Sequence, residues 1–124
     1  MIEDNAGDVL AIRQILAALP IKISVARDGE QAIQLLEDSE YKPDLIILDL
    51  NIPKVPGLAV LERCKPTGPV VVFTSSSNPA EKQRAKELGA SEFVQKPYDL
   101  DEFAQVLMRM IEEWAKPANG AAAE

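Results

Sequence analysis

Two uninterrupted apolar runs, Leu45-Ile46-Ile47-Leu48 and Val70-Val71-Val72-Phe73, constrain this chain more than any other feature. A strand with one face in water alternates apolar and polar residues. A run with no polar residue belongs to a strand covered on both faces, as in the parallel sheets of α/β proteins. Around these runs the pattern turns helical. Val9, Leu10, Ile12, Ile15, Leu16 and Leu19 give a helical stripe over residues 6–18, stopped by Pro20. Ala32, Ile33, Leu35 and Leu36 repeat the spacing within 30–38, after the Asp28-Gly29 turn. A loop over 51–57, stiffened by Pro53 and Pro56, leads into a helix at Leu58–Lys65. A polar helix runs from Ala80 to Leu88, with Gly89 at the C-cap position. The longest helix covers residues 100–115, with Phe103, Val106, Leu107, Met110, Ile111 and Trp114 on one broad face. Lys22–Ala26 and Glu92–Gln95 read as short strands, and Met1-Ile2 as the stub of a first strand. Strands separated by single helices need crossover connections, so the pattern predicts a doubly wound α/β domain, a parallel sheet with helices on both faces. The domain is expected over residues 1–116, followed by an aperiodic, alanine-rich flexible tail over 117–124.

Composition narrows the chemistry. The 124 residues include 13 basic and 20 acidic side chains, a net charge of −7, with no Lys/Arg run. Nucleic acid is a poor partner for such a surface, because phosphate binding needs a basic patch. The chain has no histidine, which removes histidine catalysis and the commonest zinc ligand. Its single cysteine, Cys64, allows no internal disulfide and no cysteine-based metal site, and reads as inert packing on a helix. No apolar run is long enough to span a bilayer and no signal peptide is evident, so no membrane partner and a cytoplasmic location are expected.

The polar residues that follow each strand carry the functional signal. Asp49 follows Leu48, Thr74 follows Phe73, Lys96 follows Gln95, and Glu3-Asp4 follow the opening stub. Ligands of doubly wound sheets bind outside the carboxyl ends of the strands, so all five residues are expected on one rim. Taken singly, each has an ordinary explanation: Asp49 as a turn former, Glu3-Asp4 as solvated acids, Thr74 as a loop cap, Lys96 as a surface lysine. Their convergence favours a site. Carboxylates held together repel unless a cation is bound between them. An all-oxygen ligand set, with no histidine or thiolate, points to Mg²⁺ held by Asp4, Asp49, a backbone carbonyl and waters. Lys96 and Thr74 could then contact a phosphoryl group on Asp49, the expected nucleophile, in a reaction that needs mainly positioning and charge stabilisation.

At these residues the chain resembles the response-regulator receiver domains of two-component signalling. The matching segments are Glu3-Asp4-Asn5, Asp49-Leu50-Asn51-Ile52-Pro53 with Gly57, Thr74-Ser75 and Lys96-Pro97. Glu3-Asp4-Asn5-Ala6-Gly7-Asp8-Val9 also looks like the branch of stand-alone receivers that serve phytochrome-type kinases. The resemblance implies a flavodoxin-like fold and Asp49 as phosphoacceptor, fed by a sensor histidine kinase or a histidine phosphotransfer protein. It implies that Asp4 binds Mg²⁺ directly, Glu3 binds it through water, and Asn51 supplies its backbone carbonyl. It makes Lys96 the partner of the phosphoryl group, Thr74 the switch hydroxyl and Phe93 the switch aromatic. It also implies a cis Lys96–Pro97 bond, and output through the fourth helix, last strand and last helix.

Two features depart from that pattern. Pro56 stands where an acid or amide often precedes the glycine. Only Met1 and Ile2 precede Glu3, where the family has a longer apolar strand. A first strand cut to a stub leaves neighbours uncovered, so either the strands close up or another chain fills the gap. The neighbour order around that strand and the placing of Glu3 and Asp4 are the expectations this puts at stake. The apolar last helix, with the last strand, suggests a homodimer. Two other functions compete with a signalling phosphoacceptor. One is a small phosphotransferase or phosphatase working through an aspartyl phosphate. The other is a degenerate receiver acting only as an interaction module.

Overall fold

The structure, a computed structural model, describes residues 1–115; the expected tail over 117–124 lies outside them. Helices α1 (Ala6–Leu16) and α2 (Gly29–Leu36) come first, and then strands β1 (Ile46–Leu48), β2 (Val70–Thr74) and β3 (Glu92–Gln95) alternate with helices α3 (Gly57–Cys64), α4 (Pro79–Glu87) and α5 (Leu100–Trp114). The sheet order is β1-β2-β3, all parallel, with Ile46 opposite Val70 and Val72 opposite Phe93. Four helices start where the side chain of a preceding Asn or Asp accepts a backbone N–H: Asn5 from Asp8, Asp28 from Gln31, Asn78 from Ala80, and Asp99 from Glu102. Gly89 takes up φ +96° after α4, the left-handed cap its position predicts.

The pleat divides the two apolar runs between two cores. Ile46, Leu48, Val70 and Val72 face one side, where they pack with Ala32, Ile33, Val60, Leu61 and Ala85 beneath α2, α3 and α4. Ile47, Val71 and Phe73 face the other, against Ile12 and Leu16 of α1 and Phe103, Leu107 and Met110 of α5. β2 is buried along its whole length. Continuous apolar character is therefore what a central strand needs when both faces are roofed. The doubly wound α/β fold with helices on both faces is the one predicted.

The start of the chain departs from expectation in extent but not in order. Ile2 forms single parallel bridges to Ala26 on one side and Leu48 on the other, so the first segment does lie between the second and third. Lys22–Ala26 does not form the expected strand; only Ala26 is bridged. Met1 O accepts from Ala26 N at 2.9 Å and the Met1 ammonium donates to Ser24 O at 2.7 Å. The amides of Lys22–Val25 donate to no backbone carbonyl. Glu3 N donates to Ala26 O and Asp49 N to Ile2 O, both at 2.9 Å, so the strands close up at the rim.

The Lys96–Pro97 bond is trans, against the cis form implied by the resemblance; no cis peptide occurs among the described residues. A peptide bond before proline has only a small intrinsic preference for trans, so the surrounding loop decides the isomer.

Candidate functional site

Backbone pairing at the carboxyl rim brings the site residues together before any side chain acts. Asp49 N bonds to Ile2 O and Lys96 N to Thr74 O at 2.7 Å, so the residues leaving neighbouring strands sit side by side. Gly57 lets the loop after Asp49 fold back tightly: a Cβ there would lie 2.6 Å from Asp49 O and 2.7 Å from Leu50 Cα. Its N–H donates to Leu50 O at 3.0 Å. Between them, Pro53 O accepts from both Gly29 N and Val55 N, and Lys54 takes a positive φ of 69° at the centre of that three-residue turn. Pro53 and Gly57 thus shape the backbone of this loop.

The centre of the site is the Lys96 ammonium. It donates to Glu3 Oε1 at 2.6 Å, to Asp8 Oδ2 at 2.8 Å and to Asp49 Oδ2 at 2.9 Å, which uses all three of its donors. Glu3, Asp49, Thr74 and Lys96 are buried, whereas Asp4 and Asn51 are exposed. Asn51 N donates to Asp49 Oδ1 at 3.1 Å, Asn5 N to Glu3 Oε2 at 3.2 Å, and Ser76 N to Thr74 Oγ1 at 3.3 Å. Carboxylate oxygens of Glu3, Asp4 and Asp49 lie within 4.8 Å of one another.

Electrostatics follows from this packing. Burial pushes the Glu3 carboxyl up to about 7, and nearby Asp49 adds to the shift while Lys96 opposes it. Burial would also raise Asp49, but the Lys96 ammonium and the Asn51 N–H outweigh it and hold the carboxyl below its ordinary range. For Lys96, burial disfavours the charged form, yet hydrogen bonds to Asp8, Glu3 and Asp49 overcome it and raise its pKa. One ammonium cannot neutralise three carboxylates, and Asp4 adds a fourth acid at the rim. The surplus negative charge, the all-oxygen donor set and the short oxygen separations suit a hard divalent cation such as Mg²⁺.

Of the residues singled out in the sequence, Glu3 and Asp49 meet Lys96 directly, an Asp4 oxygen lies within 4.8 Å of oxygens of both acids, and Thr74 stands beside Lys96. Phe93 is half-buried on the opposite side of the sheet from α5, packed against the core that contains Ala85. Pro97 and Phe103, with Asp8, Ala11, Ser75, Tyr98 and Leu100, line a 290 Å³ hollow beside Lys96. Sequence reasoning gave no role to Asp8. The available signal was local: an Asn N-cap three residues before an acid places that acid on the first turn of a helix that begins at the site rim.

Residues 1–108 match the response regulator receiver domain. The crystal structure of the Mn²⁺-bound response regulator Rcp1 superposes with a TM-score of 0.82 at 29% identity, covering 94% of this chain and 93% of that one. The phosphorylated cyanobacterial phytochrome response regulator RcpA has the same TM-score at 32% identity, over 91% and 89% of the two chains. The transcriptional regulatory protein DltR of Streptococcus agalactiae serotype III (strain NEM316) is 31% identical over 113 residues, which are 88% of this chain but only 50% of DltR. The chain thus spans about half the length of such curated relatives. The fold and the match over most of its length place this chain in the response-regulator receiver family.

Proposed function

We propose that the chain receives a phosphoryl group on Asp49 from the phosphohistidine of a sensor kinase or phosphotransfer protein. One observation carries the reading: Asp49, in contact with Lys96, shares a rim with two further acids whose oxygens lie within 4.8 Å. In the transfer, an Asp49 carboxylate oxygen attacks phosphorus as the phosphorus–nitrogen bond breaks, and the electron pair leaves with the imidazole nitrogen. Lys96 supplies a full positive charge to the phosphoryl oxygens and the Thr74 hydroxyl supplies one hydrogen bond. Glu3, Asp4, Asp49 and the Asn51 carbonyl would hold Mg²⁺, which supplies charge neutralisation to the phosphoryl oxygens when bound. Thr74 and Phe93 are read as the switch pair that reports the phosphoryl state.

The reading includes a stand-alone receiver working in the cytoplasm. Its support is the match to Rcp1 and RcpA over nearly all of their lengths. RcpA is a phytochrome response regulator, which favours a phytochrome-type kinase as donor. No helix among the described residues is long and apolar enough to cross a membrane. A phosphatase acting through an aspartyl phosphate is less well supported, because Asn51 stands where such enzymes commonly carry a second acid. For the homodimer, the ground shifts. The apolar face of α5 is covered by the sheet through Phe103, Leu107 and Met110, which leaves Leu100 at the start of α5 and Tyr98 just before it as exposed apolar residues. Sedimentation with and without beryllofluoride tests it, and a monomer throughout removes it.

Incubation with acetyl phosphate and Mg²⁺, followed by intact mass, tests the central reading. One phosphoryl group is expected on the chain and none on Asp49→Asn. Equal labelling of the variant rejects the site.

A further inference from the structure

Lys96 has three carboxylate partners, and they are not equivalent. Glu3 and Asp49 belong to the close cluster of acid oxygens with Asp4; Asp8, on the first turn of α1, does not. On the phosphoacceptor reading, on which this inference rests, Glu3 and Asp49 have competing engagements with the cation and the phosphoryl group. Lys96 must then redirect a donor from Asp49 to a phosphoryl oxygen. Asp8 is the one partner with no second duty. Its position is fixed from two sides. Asp8 N donates to Asn5 Oδ1 at 2.9 Å, and α1 is anchored in the core through the adjoining Val9 and through Ile12 and Leu16. A lysine side chain is long and flexible, and an ammonium has no preferred direction of its own, so a rigid acceptor beyond the reacting group is what sets its place.

We propose that Asp8 is a positioning residue for phosphoryl transfer: from the first turn of α1 it holds the Lys96 ammonium in place while Glu3 and Asp49 turn to other partners. The simpler alternative is a salt bridge that only tethers α1 to the end of β3. Such a tether would lower stability without changing the chemical step.

The test uses the full chain with Asp8→Ala and Asp8→Asn. The asparagine keeps an oxygen acceptor for Lys96, and the alanine removes it. Labelling by acetyl phosphate is followed by intact mass over a series of MgCl₂ concentrations. At saturating MgCl₂, Asp8→Ala should react about tenfold more slowly, the loss usual when a partner that orients a working group is removed. Asp8→Asn should recover most of that loss, and half-saturation with MgCl₂ should be unchanged in both. Without metal, the Lys96 ammonium should give a slowly exchanging ¹⁵N–H signal in the parent and in Asp8→Asn, and lose it in Asp8→Ala. Labelling of Asp8→Ala at the parent rate, or equal slowing of both variants in step with their melting temperatures, overturns the proposal. If the parent itself is not labelled, the phosphoacceptor reading falls, and persistence of the ammonium signal in Asp8→Ala would separately show that Asp8 does not hold Lys96.

Discussion

Residues 46–95 supply a continuous parallel ladder of three strands, whereas residues 1–45 enter the sheet only at Ile2 and Ala26. Both regions nevertheless deliver their acids to the same ammonium: Glu3 and Asp8 from the first, Asp49 from the second. The site therefore depends on where each segment leaves the sheet and on the backbone bond that aligns it there, and not on strand length. The regions differ in redundancy. In the ladder, successive residues of each strand are paired and β2 has a strand on either side; at the stub, one residue holds two junctions.

The sharpest way to break this comparison is Ile2→Ala. Ile2 is 4% exposed, carries both bridges and packs its side chain into the core beneath α2 and α3. Its truncation should cost about 2–5 kcal/mol, read by urea denaturation, and should also weaken labelling of Asp49. Val71→Ala, in the fully backed β2, should lower stability but leave the labelling rate of the folded protein unchanged. Equal loss of labelling in both variants would remove the distinction.

Next comes the shared ammonium. Lys96→Ala should slow phosphorylation by the equivalent of about 2–4 kcal/mol, and by more than Thr74→Ala, because a buried charge is lost rather than one hydroxyl. The reverse ranking would show that the roles are misassigned.

A smaller contrast lies in backbone exchange. Amides of Leu48, Val71 and Val72 should be among the best protected, whereas those of Lys22–Val25, which donate to no backbone carbonyl, should exchange quickly. Comparable protection would mean that the second segment is paired after all.

The smallest effect concerns β3, the outer strand of the ladder. Glu92 accepts from Arg109 Nη2 at 2.8 Å and from Trp114 Nε1 at 2.9 Å. The Arg109 guanidinium holds the Glu92 carboxyl below its ordinary range; burial opposes this and the Trp114 N–H assists. A depressed carboxyl pKa favours the folded state above the unfolded value, and that contribution is lost as pH falls through the folded one. Trp114 emission should therefore shift only below the usual glutamate range, and Glu92→Gln should abolish the step. A step at the ordinary glutamate value would show the contact to be too weak to matter.

What the sequence by itself determined was set by local physics. Two apolar runs specify strands buried on both faces, and Gly89 specifies a helix end. Because strand ends define the rim, Glu3, Asp4, Asp49, Thr74 and Lys96 were legible as one group. Tertiary structure decided what depends on partners distant in sequence. Lys22–Ala26 has the alternation of a strand, but a strand exists only where a neighbour accepts its hydrogen bonds, and of these amides only that of Ala26 finds a backbone acceptor. The apolar stripe of α5 was visible, but whether it met a second chain or its own sheet depended on Ile47, Val71 and Phe73 lying beneath it. Asp8 looked like one acid among many at a helix start. Its partner is 88 residues away, and only the closure of α1 over the rim brings its carboxylate to the third donor of Lys96.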